Sequence, residues 1–138
     1  MTGVDHIGIA VRKLTDAIPF WRDQLGLQFV AIEEIPTEKV RVAILKAGAT
    51  RVELIEPTSP DSPIAKYLEK RGPGIHHLAL KVDDLSARMA ALRDAGRPTL
   101  DDAPRPGADG SVVTFLHPGN AGGVLVELTQ TAAGRPKH

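Results

Sequence analysis

Apolar positions alternate from Val4 to Val11: Val4, Gly8 and Ala10 share a parity with His6, while Ile7, Ile9 and Val11 occupy the other. A segment apolar on both faces reads as an internal strand. Leu14, Ile18, Trp21 and Leu25, spaced four, three and four apart, predict one helical stripe that ends before Gly26. Pro19 fits that helix if Asp16 is its cap, because proline is tolerated in a first turn. Strands are predicted over 28–35, 39–47 and 50–56, the last two joined by Gly48-Ala49. Ser62-Pro63 then opens a second helix, serine as cap and proline at the first position, with Ile64 and Leu68 inward and Gly72 as the stop. After Gly74 the pattern restarts. A strand over 75–82 leads to a helix carrying Leu85, Met89 and Leu92 and closed by Gly96. Strands are predicted again over 98–101, 111–117 and 123–129, with Asp109-Gly110 as a turn and 131–138 as a frayed tail.

The restart is an internal repeat. An offset of 71 residues lays Asp5-His6-Ile7-Gly8-Ile9-Ala10-Val11 over His76-His77-Leu78-Ala79-Leu80-Lys81-Val82, and carries Leu14 to Leu85 and Arg22 to Arg93. An offset of 74 lays Val52-Glu53-Leu54 over Val126-Glu127-Leu128. The expected fold is α+β: one domain over 1–138, built from a first βαβββ module (4–57), a connecting helix (58–73) and a second βαβββ module (74–130).

Duplication changes what the polar residues mean. His6 and His77 are equivalent, early on the first strand of each copy, and Glu53 and Glu127 are equivalent, on the last. All four interrupt apolar strands, where an unpartnered carboxylate is costly. A lone histidine or glutamate at such a place is more often structural than a ligand. Two of each at matching positions favour a shared cation. Nitrogen and oxygen donors together suit Zn, Mn, Co, Ni or Fe rather than calcium, which takes oxygen alone. The overlay selects His77 and turns His76 to the opposite face.

Composition narrows the chemistry further. The 138 residues contain no cysteine, so disulfides, thiolate nucleophiles and iron–sulfur clusters drop out. Seventeen basic against seventeen acidic side chains leave no net field for nucleic acid or an anionic membrane. Three Phe, one Tyr and one Trp make no base-stacking platform. Apolar runs are strand-sized and no basic-then-apolar leader opens the chain, so a soluble cytoplasmic protein is expected. Arg41, Lys46 and Arg51 lie near strand ends, where solvated faces are favoured over contacts with a phosphorylated ligand. Lys66, Glu69, Lys70 and Arg71 read as the wet side of a helix, His117 as a strand-end residue held by hydrogen bonds, and 104–110 as a mobile loop bordering the site.

These modules resemble the vicinal oxygen chelate superfamily, which includes lactoylglutathione lyases, ring-cleaving dioxygenases, resistance proteins and methylmalonyl-CoA epimerases. Within it, several stretches look like the epimerase family. They are Asp5 to Val11, Val52-Glu53-Leu54-Ile55-Glu56-Pro57, Pro60-Asp61-Ser62-Pro63-Ile64-Ala65-Lys66, Gly74-Ile75-His76-His77-Leu78-Ala79, Phe115-Leu116-His117-Pro118 and Gly122 to Leu128. The resemblance implies a divalent ion, cobalt by preference and Zn, Mn or Ni otherwise, held by His6, His77 and Glu127 with Glu53 as the fourth position. It implies an acyl-CoA thioester substrate whose α-proton is exchanged, Glu127 and Glu53 as candidate bases, and a homodimer. The sequence departs from the family at Val42, where some members carry a glutamate thought to act as a base. A lactoylglutathione lyase, a non-catalytic ligand-binding protein and an iron-dependent ring-cleaving dioxygenase are the competing readings.

Overall fold

The computed structural model describes residues 3–107 and 110–132. Two compact units emerge, one over residues 6–76 and the other over 77–132 with 3–5. Asp109 and residues 133–138, parts of the expected turn and tail, lie outside the described residues.

In the first unit, β1 (Gly3–Ala10), β2 (Gln28–Ile35), β3 (Val40–Ala47) and β4 (Thr50–Pro57) pair in the order β1-β4-β3-β2. β1 and β4 run parallel, and β4-β3-β2 antiparallel. Helix α1 (Leu14–Ile18) covers one face. Its Leu14 and Ile18 pack with Val11, Ala43, Leu45, Val52 and Leu54. Helix α2 (Pro63–Arg71) sets Ile64 and Leu68 against Ala10, Val40, Val42, Ile44 and Ile55, on the opposite face.

The Asp-Ser-Pro segment is what anchors α2. Ser62 is fully buried; its hydroxyl accepts from the Ile64 amide at 3.2 Å and donates to the Glu38 carbonyl at 3.2 Å. One side chain therefore caps the helix and ties it to the β2–β3 turn. Asp61 meets Lys39 and the Ser59 hydroxyl, and these contacts hold its carboxyl down to about 2.

The second unit repeats the order. β5 (Gly74–Lys81), β6 (Arg105–Pro106), β7 (Val112–Phe115) and β8 (Val126–Gln130) pair as β5-β8-β7-β6, with β5 and β8 parallel. Helix α3 (Leu85–Asp94) buries Leu85 and Met89 against Val82, Val126 and Leu128. Both parallel pairs reach back to cap their own helix: Glu56 Oε1 accepts from the Leu14 amide at 3.0 Å, and Gln130 Oε1 from the Leu85 amide at 2.9 Å. The same offset of 74 relates Glu56 to Gln130, so this cap is part of the repeat.

Four expectations are corrected. Helix α1 starts at Leu14 with Lys13 as its cap residue, so Pro19 lies beyond the first turn. Lacking an N–H, Pro19 breaks the four-residue ladder, and the chain continues as a π-helical turn over Pro19–Gln24, with the Leu25 amide bonded to the Phe20 carbonyl. The wider turn rotates the apolar stripe: Leu25 is exposed, and Leu27 packs with the core instead. The segment 98–101 makes only an isolated bridge, Thr99 to Leu116. Pro98 removes a ladder donor there, and the place in the sheet is taken by the two-residue β6, inside the segment 104–110 read as a mobile loop. β8 begins at Val126 rather than near 123, because Gly122 and Gly123 take φ of 65° and 95° in the turn after Pro118–Ala121. Among the described residues no helix is long and apolar enough to cross a membrane.

Candidate metal centre

In each unit a helix occupies one face of the parallel pair, and the polar residues singled out by the repeat lie on the other. On β1 and β4 the register places His6 beside Arg51, Gly8 beside Glu53 and Ala10 beside Ile55. His6 and Glu53 therefore share a face two residues apart. His6 Nδ1 lies 3.5 Å from Glu53 Oε2, and both residues are buried. Gly8, the register partner of Glu53, adds no side chain to that face.

The second unit builds the same pair. Ala79 lies beside Glu127 in the β5–β8 register, and His77, two residues earlier, shares that face. His77 Nε2 is 3.4 Å from Glu127 Oε1, both again buried. Phe115, beside Glu127 on β7, presents its ring edge-on to His77 at 5.9 Å between centroids, and the Arg105 guanidinium lies 5.3 Å over the Phe115 ring. His76 faces the other way and packs edge-on against Tyr67 at 4.9 Å, its pKa lowered by burial. Tyr67 in turn donates to the Ile75 carbonyl at 2.7 Å. The parity that separates His77 from His76 is thus visible in the fold.

Each predicted histidine meets its predicted glutamate within its own unit. Two donors each about 2.1 Å from one ion lie about 3.0–3.4 Å apart in octahedral or tetrahedral arrangements. The separations of 3.5 and 3.4 Å are close to that range. Imidazole nitrogen and carboxylate oxygen are also the donors that divalent transition metals take. Both pairs therefore fit a divalent ion by donor type and by spacing.

Sequence reasoning missed two charged residues. Arg51, expected on a solvated face, is only 6% exposed, and its Nη2 lies 3.0 Å from Glu53 Oε2. The signal was available: Arg51 has the parity of Glu53 on a strand apolar on both sides. Asp5 is equally buried and approaches Lys81 Nζ to 3.9 Å. Arg41 behaves differently, bridging Glu34 and Glu56 at 2.9 Å each near the surface, which raises its pKa. Val42 is buried in the apolar cluster under α2, on the face that carries Glu53. Its register partners are Glu33 on β2, a half-buried carboxylate on the same face, and Ile55 on β4. His117, as expected, is held locally: Nδ1 accepts from the Gly119 amide at 3.1 Å.

Residues 5–115 match the family model described as the glyoxalase/bleomycin resistance protein/dioxygenase superfamily, and the chain belongs to that family. More specific likenesses lie among epimerases. An ethylmalonyl-CoA/methylmalonyl-CoA epimerase of Cereibacter sphaeroides is 39% identical over 129 residues, which are 92% of this chain and 96% of the relative. The crystal structure of methylmalonyl-CoA epimerase from Mycobacterium tuberculosis superposes with a TM-score of 0.90 at 42% identity, covering 94% of this chain and 88% of that one. A methylmalonyl-CoA epimerase solved in complex with methylmalonyl-CoA and NH4+ gives a TM-score of 0.92 at 41% identity, covering 98% of both chains.

Proposed function

We propose that this chain is a methylmalonyl-CoA epimerase that interconverts the (2R) and (2S) thioesters by removing and returning the α-proton. The observation that carries the reading is the duplicated His–Glu pair, set in the same register on the parallel strand pair of each unit, on the face opposite α1 and α3. The likeness to epimerases over nearly the whole chain supports the substrate. His6, His77 and Glu127 hold a divalent ion in this proposal, with Glu53 as the fourth position.

A divalent ion so held supplies Lewis-acid stabilisation of the negative charge that develops on the thioester oxygen. The protein's own groups do the rest. The two histidines are buried, each with a ring nitrogen 3.5 or 3.4 Å from a carboxylate oxygen, so both donor types face the same space in each unit. Inversion needs proton removal on one side of the α-carbon and delivery on the other. Glu53 and Glu127 are the candidate groups for these two transfers, because Val42 offers no carboxylate.

The test is incubation of the metal-loaded protein with methylmalonyl-CoA in deuterium oxide. Deuterium uptake at the α-carbon together with loss of optical purity is expected, and its absence overturns the proposal. The hemithioacetal of glutathione, tested in parallel, separates a lactoylglutathione lyase, and oxygen uptake with a catechol separates a dioxygenase. Cobalt as the ion, a homodimer as the assembly and the cytoplasm as the compartment belong to the same proposal. Metal analysis, sedimentation and cell fractionation address them in turn.

A further inference from the structure

The two His–Glu pairs agree in register but not in what stands beside them. Arg51 is the β4 neighbour of His6, whereas the offset that carries Glu53 to Glu127 carries Arg51 to Leu125. One module has a buried guanidinium next to its glutamate, and the other has an isobutyl group at that place. Arg51 Nη2 contacts Glu53 Oε2, the same oxygen that His6 Nδ1 approaches. Its Nε, also buried, has no hydrogen-bond partner. A two-point fork on a carboxylate is the arrangement that recovers most of the cost of burying arginine. Contact through one nitrogen, with a second left over, is a poor device for stability alone. It does fix one oxygen of a carboxylate in place.

We infer that Arg51 is a positioning residue that holds Glu53 by Oε2 and thereby makes the two carboxylates of the duplicated site unequal. The inference rests on the epimerase reading, in which Glu53 takes part in the reaction. In each turnover one group takes the proton and the other returns one, and the residue beside Glu53 at the matching place is Arg51 where the second module has Leu125. The arginine-for-leucine difference stands directly before the Val-Glu-Leu triplet that the two modules share.

The experiment compares Arg51→Leu, which installs the residue of the second module, with Arg51→Lys, Glu53→Gln and the double variant Arg51→Leu/Glu53→Gln. All are read by kcat and KM for α-deuterium exchange and by the dissociation constant for Co2+. Arg51→Leu is expected to lower kcat by about 10- to 100-fold, the usual cost of a small misplacement of a reacting group, with KM little changed. Arg51→Lys recovers part of the loss. In the Glu53→Gln background Arg51→Leu has no further effect on kcat, because it acts only through Glu53. Cobalt affinity shifts by about 10-fold in Arg51→Leu, and this shift vanishes in the double variant. Losses that multiply in the double variant, or a raised KM at unchanged kcat, overturn the inference, since either makes Arg51 act independently of Glu53. If Arg51→Leu does not fold, Arg51→Lys carries the same cycle. A wild-type protein without exchange activity sinks the epimerase reading instead, and the cobalt measurements still report whether Arg51 and Glu53 are coupled.

Discussion

Replacing Gln130 and Glu56 by alanine tests whether the helix cap is a duplicated device. Gln130 Oε1 takes the Leu85 amide, the first of α3, at 2.9 Å in a partly buried setting. Its loss removes one neutral hydrogen bond and leaves the amide unsatisfied, worth about 1 kcal/mol. Asp84 still accepts from the Ala87 amide at 3.1 Å, so α3 retains one cap. Glu56 does the same for Leu14, but as a charged acceptor that also holds Arg41 at 2.9 Å, with its side chain 15% exposed. Lys13, the cap residue of α1, makes no side-chain cap bond, so nothing else takes the role there. Charge-assisted bonds are worth about 1.5–3 kcal/mol, and loss of the N-terminal anion also weakens its interaction with the helix dipole. About 2–3 kcal/mol is expected for Glu56→Ala. For a chain of this size the slope is roughly 3 °C per kcal/mol, so the melting temperature falls by about 3 °C for Gln130→Ala and about 6–9 °C for Glu56→Ala. Glu56→Gln, which keeps the acceptor, falls between. Urea and thermal unfolding followed by circular dichroism give these numbers directly. Equal, negligible losses for both alanine variants would refute the cap as a source of stability, and a larger loss at Gln130 would refute the reasoning about charge.

Metal removal has a definite thermal signature if the proposed centre is right. With an ion present at about 100 times its dissociation constant, binding contributes about 2.7 kcal/mol, so a chelator should lower the melting temperature by about 8 °C. Glu127→Gln should abolish that increment and His76→Ala should keep it; the reverse would move the centre elsewhere. Asp61 gives a pH signature. Its carboxyl is lowered from 3.8 to about 2 by Lys39 and Ser59, so its contribution is complete above about pH 4 and is lost as pH falls towards 2. The stability gap between wild type and Asp61→Asn, measured by urea unfolding, should close over that window and shrink with added salt, because the pair is exposed. Ser62→Ala removes a fully buried cap that also holds the Glu38 carbonyl, and should cost about 1–2 kcal/mol in the same assay; no loss would show that the Asp-Ser-Pro segment is not an anchor.

The chain's own pattern was enough to determine the two βαβββ copies, the helix caps at Ser62 and Gly72, and which histidine of the pair at 76 and 77 shares a face with a glutamate. Period-two parity and a constant offset are local properties, and a strand's side chains obey them whatever surrounds it. Tertiary structure alone decided the rest. Pro19 widened a turn whose register then carried Leu25 out and Leu27 in, a rotation that depends on how the helix meets its sheet. Glu56 and Gln130 became helix caps because parallel pairing returns the end of β4 and of β8 to the start of the helix that follows β1 and β5. Strand parity already placed Arg51 on the face of Glu53; that it is 6% exposed with Nη2 3.0 Å from Glu53 Oε2 depends on what packs over that face. Burial is set by what packs against a residue from far along the chain, and no local periodicity encodes it.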